Sequence, residues 1–148
     1  MIDIELNINA VQDALLGKAN ALCEALSDRI QQKLSGQVLQ LHSGALAASV
    51  LSSVQNDGSD VFVSISSSGV PYAAIQEFGG KTAAHDIAAV NAKALAFVAS
   101  GKQVFSKRVH NPGSLIPPHS YLVSSLVEMH DDIAGGFKEA VLEALGQG

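Results

Sequence analysis

The sequence VFSKRVHNPGSLIPPHSYL, residues 104–122, predicts a strand, a turn, an extended arm and the start of a helix, in that order. Proline fixes φ at about −65° and glycine accepts positive φ, so Asn111-Pro112-Gly113 suits a type II turn that ends the strand at His110. Pro117 and Pro118 keep the arm extended, and Pro118 is tolerated in the first turn of a helix. No recognisable catalytic grouping lies in this segment. We therefore expect it to present surfaces.

Composition limits the class of protein. The 148 residues suffice for one domain with a real core, and we expect a single domain over 1–148. Apolar residues make up 47% of the chain, but no apolar run reaches the roughly 18 residues of a membrane span, so we expect no membrane partner. The net charge of −5 is opposite to the basic footprint of a duplex-binding protein, and the low aromatic content of 5% argues against a stacking platform for single strands.

The start of the chain and its cysteine bear on the compartment. The acidic start, Met1 to Glu5, lacks the basic region and apolar run of a signal peptide, which predicts synthesis in the cytoplasm. Cys23 is the one cysteine, and no paired-cysteine or Cys/His motif surrounds it. We expect it to be a small buried side chain in a reducing compartment.

A long amphipathic helix is predicted from Asn9 to Leu34, because leucine and isoleucine recur along it at spacings of seven and four. Asn9 and Gln12 form a capping-box-like pair, and Gly36 marks the end of the helix. We expect its polar residues to be solvated, among them Asp13, Lys18, Glu24, Asp28 and Lys33.

The middle of the chain predicts a small, mostly antiparallel sheet. A hairpin is expected near 48–66, with its turn at Asn56-Asp57-Gly58-Ser59. A short helical turn follows at Tyr72 to Glu77, and then an exposed loop at 81–86. Strand-like pieces at 87–90 and 95–98 are expected to pair with a strand near 104–109 across a turn at Gly101.

A long last helix is predicted from about Pro118 to Leu145, with an apolar stripe at helical spacing. Gly135-Gly136 interrupts it at a cost of about 1 kcal/mol per glycine relative to alanine. We expect the helix to bend, fray or pack closely against another backbone there. The predicted fold class is therefore α+β, with a long helix at each end and a small sheet between them.

Motifs for common chemistry are missing from the sequence. Gly101-Lys102 lacks the other residues of a phosphate-binding loop, and no Gly-x-Ser-x-Gly elbow is present. The five histidines never pair at i,i+4 spacing, and His130-Asp131-Asp132 points in three directions on a helix. We expect no metal, no cofactor and no catalytic residue.

Glu77 is the most interesting carboxylate, because it lies between apolar residues and a diglycine. As a general acid it would need a partner, and His85 and Asp86 across the following loop are the candidates. The structural alternative is an ion pair with Lys107 or Arg108, and we favour that interpretation. Lys107 and Arg108 themselves are typical of a solvated strand edge.

Three segments, in order, resemble the small tail-completion and head-to-tail joining proteins of long-tailed bacteriophages, a group that includes the tail-component and Mu-like virion morphogenesis families. They are residues 42–50 (HSGALAASV), 72–80 (YAAIQEFGG) and 94–97 (ALAF) running on through the arm to Tyr121-Leu122. The family pattern has a Ser- or Thr-Gly-x-Leu step, a Tyr-Ala-x-x-x-Glu-Phe-Gly element, and a Pro-Gly turn with an arm that leads to an aromatic. This chain has His119-Ser120-Tyr121 where the family commonly has Arg-Pro-Phe.

The resemblance implies a virion structural protein without enzymatic activity, which assembles with itself as a ring, a hexamer being the expected form, at the neck or the head-proximal end of the tail. Its partners would be other neck or tail-tube proteins, and DNA would pass through the ring as cargo. We expect the loop 79–86 and the arm 112–120 to reach neighbouring subunits or ring partners. The candidate interface residues are Tyr72, Glu77, Phe78, Gly79, Gly80, Lys107, Arg108, Pro112, Gly113, Pro118 and Tyr121.

Two other interpretations stay open. One is a small phage-derived enzyme or regulator that uses Glu77, His85 and Asp86. The other is an unrelated α+β oligomerisation adaptor. The shape of the surface distinguishes an enzyme, because an enzyme needs a concave site with converging titratable groups.

Overall fold

The computed structural model describes residues 8–37 and 44–146, and it has the predicted α+β architecture. The helices are α1 (Ile8–Gln32), which continues into a π-type turn (Lys33–Gln37), α2 (Ala45–Ala48), α3 (Ala73–Phe78), α4 (Leu122–Glu128) and α5 (His130–Gly146). The strands are β1 (Val50–Asn56), β2 (Val61–Ser67), β3 (Gly80–Lys81), β4 (His85–Ala88), β5 (Leu95–Ala99), β6 (Lys102–Ser106), β7 (Arg108–Asn111) and β8 (Leu115–Ile116).

Helix α1 is the centre of the fold, and its predicted apolar stripe is confirmed. Leu26, Ile30 and Leu34 are buried in one core cluster, and Cys23 is buried as expected. The helix packs against the β1–β2 hairpin and against α4 and α5. The predicted cap is wrong, since Asn9 lies within the helix and the Gln12 amide donates to the carbonyl oxygen of Gly58 in the hairpin turn.

The predicted hairpin is confirmed as β1 and β2, paired antiparallel from Val50↔Ser67 to Asn56↔Val61. Asn56 and Asp57 accept backbone N–H groups within the turn, as Asx-type turns do. The hairpin begins at Val50 rather than near 48, because the alanine-rich residues before it form the short helix α2. His42 and Ser43 of the first family-like segment lie outside the described residues.

Residues 80–116 form one long antiparallel excursion, which we call the ribbon. Its pairs are β3 with β8, β4 with β7 and β5 with β6, and Thr82 N donates to the Ser114 carbonyl between the first two. The predicted strands at 87–90 and 95–98 are confirmed over Ile87 to Ala88 and Leu95 to Val98. The loop expected at 81–86 is found only at 82–84, because Lys81, His85 and Asp86 belong to strands. Consecutive rungs at about 3.3 Å give the ribbon a length of roughly 45 Å if it is straight.

The ribbon is interrupted in two places. The expected strand at 104–109 is split at Lys107, where the register changes from Ala88↔Arg108 to Leu95↔Ser106, so that residues 89–94 bulge opposite Lys107. Gly113 has the predicted positive φ, +81°, but the chain continues in the same ladder after it. Asn111-Pro112-Gly113 therefore interrupts the ladder without reversing the chain.

The last helix differs from its prediction at its start and in its continuity. It begins at Leu122 rather than Pro118, and it divides at Met129, where φ and ψ are −96° and 3°. Gly136 is buried, and a β-carbon there would collide with the end of the Lys18 side chain of α1. The close contact at this glycine is therefore with side chains and not, as expected, with another backbone. In residues 8–37 and 44–146 no helix has the length and apolar character that a membrane span needs.

Candidate functional site

Glu77 is buried, with 4% of its surface exposed, and its carboxylate accepts four hydrogen bonds from the start of α4. Oε1 accepts from the Ser120 hydroxyl at 2.6 Å and from Val123 N at 2.9 Å. Oε2 accepts from Tyr121 N at 2.8 Å and from Leu122 N at 2.9 Å. We call this arrangement the Glu77 clamp.

The clamp exists because the first N–H groups of a helix have no partner within the helix. The positive end of the α4 dipole also favours a carboxylate there. Helix α3 presents Glu77 to these groups, and the His119 N–H donates to the Gln76 carbonyl at 2.7 Å, which fixes the arm against α3. The predicted ion pair with Lys107 or Arg108 is wrong, since the described partners of Glu77 are uncharged donors in 120–123.

The electrostatic state of Glu77 follows from two opposed effects. Burial raises the pKa of this carboxyl, but the hydrogen bonds from the Ser120 hydroxyl and from the N–H groups of Leu122, Tyr121 and Val123 outweigh it and hold the pKa below its usual value. Glu77 is therefore a carboxylate at neutral pH that stabilises the fold in its charged form.

We expect the free energy of unfolding to fall as the pH drops below the ordinary glutamate range, about 4.3, and to keep falling until the pH passes the lowered pKa of Glu77. The unfolded chain binds this proton at a higher pH than the folded chain does, so acid favours unfolding. Urea unfolding between pH 7 and pH 3 measures the slope. Because Glu128 also has a lowered pKa, the comparison is with Glu77→Gln, whose slope should be shallower. An equal slope in the two proteins would contradict this assignment.

The three family-like segments meet beside the clamp. Leu46 of the first segment, Ala73 of the second and Tyr121 of the third lie in one buried cluster with Leu26, Ile30 and Leu34 of the first helix and its final turn. Tyr121 is 1% exposed, and burial raises the pKa of its hydroxyl. Segments far apart in sequence thus form a single junction between the hairpin, α3 and α4.

A second polar contact joins α1 to α4. The Lys33 ammonium, on a side chain expected to be solvated, is buried and lies 2.7 Å from Ser124 Oγ and 2.6 Å from Glu128 Oε1. Arg29 reaches the other oxygen of Glu128 at 2.7 Å. Hydrogen bonds from Lys33 and then Arg29 lower the pKa of Glu128. This network fixes the angle between the first helix and the helix that the clamp caps.

The candidate interface residues fall into an interior and an exterior group. Glu77 and Tyr121 are buried within the chain, so they position the arm and do not present a surface. The side chains of Tyr72 and Phe78 are exposed beside α3. The other candidates lie along the ribbon or at its base: Gly79, Gly80, Lys107, Arg108, Pro112, Gly113 and Pro118.

The residues of the enzyme hypothesis have separate partners. Glu77 is engaged by the start of α4, whereas Asp86 lies 2.8 Å from His110 Nδ1 and 3.7 Å from Arg108 on the ribbon. The described contact of the His85 ring is the Ala83 carbonyl. Within the described ranges, no group of three or more histidine, cysteine or carboxylate side chains could hold a metal ion.

Two surfaces were missed by sequence reasoning. One is the outer half of the ribbon, where Val98 and Phe105 are exposed. The other is an apolar groove of about 490 Å³ between α1, β2, α4 and α5. The apolar run 95–99 and the pair Val104-Phe105, on either side of Ser100-Gly101, signal the ribbon strands. The sequence does not show that both faces of this strand pair are left uncovered.

Comparison of the chain with protein-family models, with curated proteins and with solved structures finds no significant match.

Proposed function

We propose that this chain is a non-enzymatic structural subunit of a long-tailed bacteriophage virion. It forms a ring with copies of itself at the neck or the head-proximal end of the tail, where it completes the tail or joins it to the head. The observation that carries the proposal is the junction at the Glu77 clamp, where the three family-like segments contact one another.

The junction supports the proposal because the residues that match the family pattern all act together in holding the arm against α3 and α4. The glutamate of the Tyr-Ala-x-x-x-Glu-Phe-Gly element caps the helix that follows the arm, and the aromatic at the end of the arm fills the core beside it. Ser120, which stands where the family commonly has proline, adds a hydroxyl donor to the same carboxylate. Proteins that keep these residues would therefore hold the ribbon and the arm in a fixed orientation relative to α3 and α4.

The chemistry of the surface also supports an assembly role. Glu77, the carboxylate on which the enzyme alternative depends, is already bound by four donors. In contrast, many large apolar side chains are exposed, among them Phe78, Phe105 and Leu115. Apolar surface of this extent is typical of proteins that are covered by partners.

The acidic balance suits a channel that passes DNA. The ribbon holds five of the nine basic residues and one of the fourteen acidic residues, so its net charge is +4 and that of the remaining chain is −9. An acidic lining of the channel repels the DNA backbone, so the duplex passes through the ring without binding to it.

The test is the position of the protein in the particle. Phage particles that carry a tagged copy of this chain should show label at the neck or at the head-proximal end of the tail in electron microscopy, and loss of the gene product should leave heads and tails unjoined or tails incomplete. An oligomerisation adaptor unrelated to virions would be missing from purified particles. Unlabelled particles with normal tails would contradict the proposal.

A further inference from the structure

The outer part of the ribbon makes few contacts with the rest of the molecule. The main contacts of β4, β5, β6 and β7 are within their own pairs. A two-stranded ladder by itself is only marginally stable in water. Five large apolar side chains of the ribbon's outer part are nevertheless exposed: Ile87, Val90, Val98, Val104 and Phe105. A covering surface would therefore stabilise this part of the molecule.

The two most exposed large apolar side chains of β5 and β6 share one face. The register places Ala96 opposite Phe105 and Val98 opposite Gln103, and these rungs point to the same side. Phe105 is 66% exposed and Val98 is 72% exposed. Aromatic side chains contribute much of the binding energy at protein interfaces, so Phe105 can act as an anchor here.

The apolar groove between α1, β2, α4 and α5 can accept these two side chains. It lies on the part of the chain outside the ribbon, which we call the body. The volume of the groove is about 490 Å³, and its lining is apolar apart from Ser64. Val63, Val123 and Leu126 line it and remain exposed. Pockets of about 300–1,000 Å³ accept drug-sized ligands, so there is room for an aromatic ring and a branched aliphatic side chain.

The opposite net charges of the ribbon and the body indicate that the groove is filled by the ribbon of a second copy of this chain. The ribbon has a net charge of +4 and the rest of the chain −9. Helix α5, which borders the groove, carries Asp131, Asp132, Glu139 and Glu143 against the single Lys138. Basic ribbon against acidic body is attractive, whereas ribbon against ribbon and body against body are repulsive.

We propose that Phe105 and Val98 on the ribbon of one copy insert into the groove between α1, β2, α4 and α5 of the next copy. The two surfaces differ, so the contact is head-to-tail, and a contact of this type generates a ring when its rotation closes. The inference rests on the proposed function in that it identifies the contact by which the ring forms.

Substitutions that place a carboxylate in the apolar contact test both of its sides in the full-length protein. Phe105→Asp on the ribbon and Leu126→Asp in the groove should each weaken self-association at least about 30-fold, the loss expected for an interface anchor. Leu142→Asp is the matched control, because Leu142 is exposed on α5 outside the groove lining, and it should leave association unchanged. Light scattering after size exclusion gives the mass, and circular dichroism verifies that each variant is folded.

Cross-linking keeps the test independent of variant stability. In a Cys23→Ala background, a Val98→Cys protein is mixed with a differently tagged Leu126→Cys protein and treated with a short bismaleimide. The proposed contact gives hetero-linked dimers. Oligomers that form without this product, or that survive both Asp substitutions, would overturn the contact and leave the virion role standing. A wild-type chain that stays monomeric at high concentration would overturn both the contact and the ring.

Discussion

Replacing Glu77 with alanine is expected to lower the free energy of unfolding by about 3 kcal/mol or more, because buried donors that lose their acceptor cost about 1–3 kcal/mol each. Four donors lose their partner at once: the Ser120 hydroxyl and the N–H groups of residues 121–123. Water can replace some of these bonds at the exposed side of the helix, which keeps the total below the sum of the four.

The loss should be measured by urea unfolding at pH 7 against Glu143→Ala, which removes an exposed glutamate of α5. We expect that control to stay within about 0.5 kcal/mol of wild type. Glu77→Gln keeps the shape of the side chain but turns an amide NH₂ toward N–H donors, so its stability should lie between wild type and alanine. Equal stabilities of Glu77→Ala and Glu143→Ala would show that the clamp contributes nothing.

Replacing Gly79 with alanine is expected to cost about 3 kcal/mol or more, from backbone strain and from a collision. Gly79 has φ of +70° and ψ of −179°, a conformation open essentially to glycine alone. A β-carbon there would lie 2.8 Å from Pro118 N and 2.9 Å from the Ile116 carbonyl oxygen. These neighbours are backbone atoms of the arm. The collision can therefore be avoided only if the arm moves away from α3.

Gly101→Ala is the matched control, since Gly101 has φ of +76° and no neighbouring atom within 4 Å of a β-carbon. It should cost only the left-handed strain, about 1–2 kcal/mol. The difference between the two variants in urea unfolding isolates the collision. Equal losses would mean that α3 and the arm are not in close contact. If the chain forms the proposed ring, Gly79→Ala should also reduce self-association, because the contact at Gly79 sets the direction in which the ribbon leaves α3.

The periodic parts of the fold could be predicted from the sequence. The leucine and isoleucine spacing predicted the buried face of α1, and Asn56-Asp57-Gly58-Ser59 predicted the hairpin turn, since both depend on neighbours along the chain. The strands around Gly101 also follow local rules, because Ser100 and Gly101 both adopt the positive φ of a tight hairpin turn.

The candidate site was less predictable because its contacts are distant in sequence. The prediction identified Glu77 as unusual but gave it a cation as partner, and its donors lie 43 to 46 residues further along. Pro118 suggested the start of the last helix, yet the start falls at Leu122, where the Glu77 carboxylate meets the first N–H groups. Lys33 was expected on a solvated face, and only the packing of α4 against α1 turns that face inward.

The Glu77 clamp joins the two chain segments from which the ribbon departs and to which it returns. Residues 80–116 are therefore an insertion between two fixed points, α3 and the start of α4, and the core is complete without them. Adding two residues to each strand would move the tip outward by about 7 Å and preserve which side chains share a face. The reach of the molecule can thus change by pairs of rungs, in evolution or by engineering, without any change to the residues of the core.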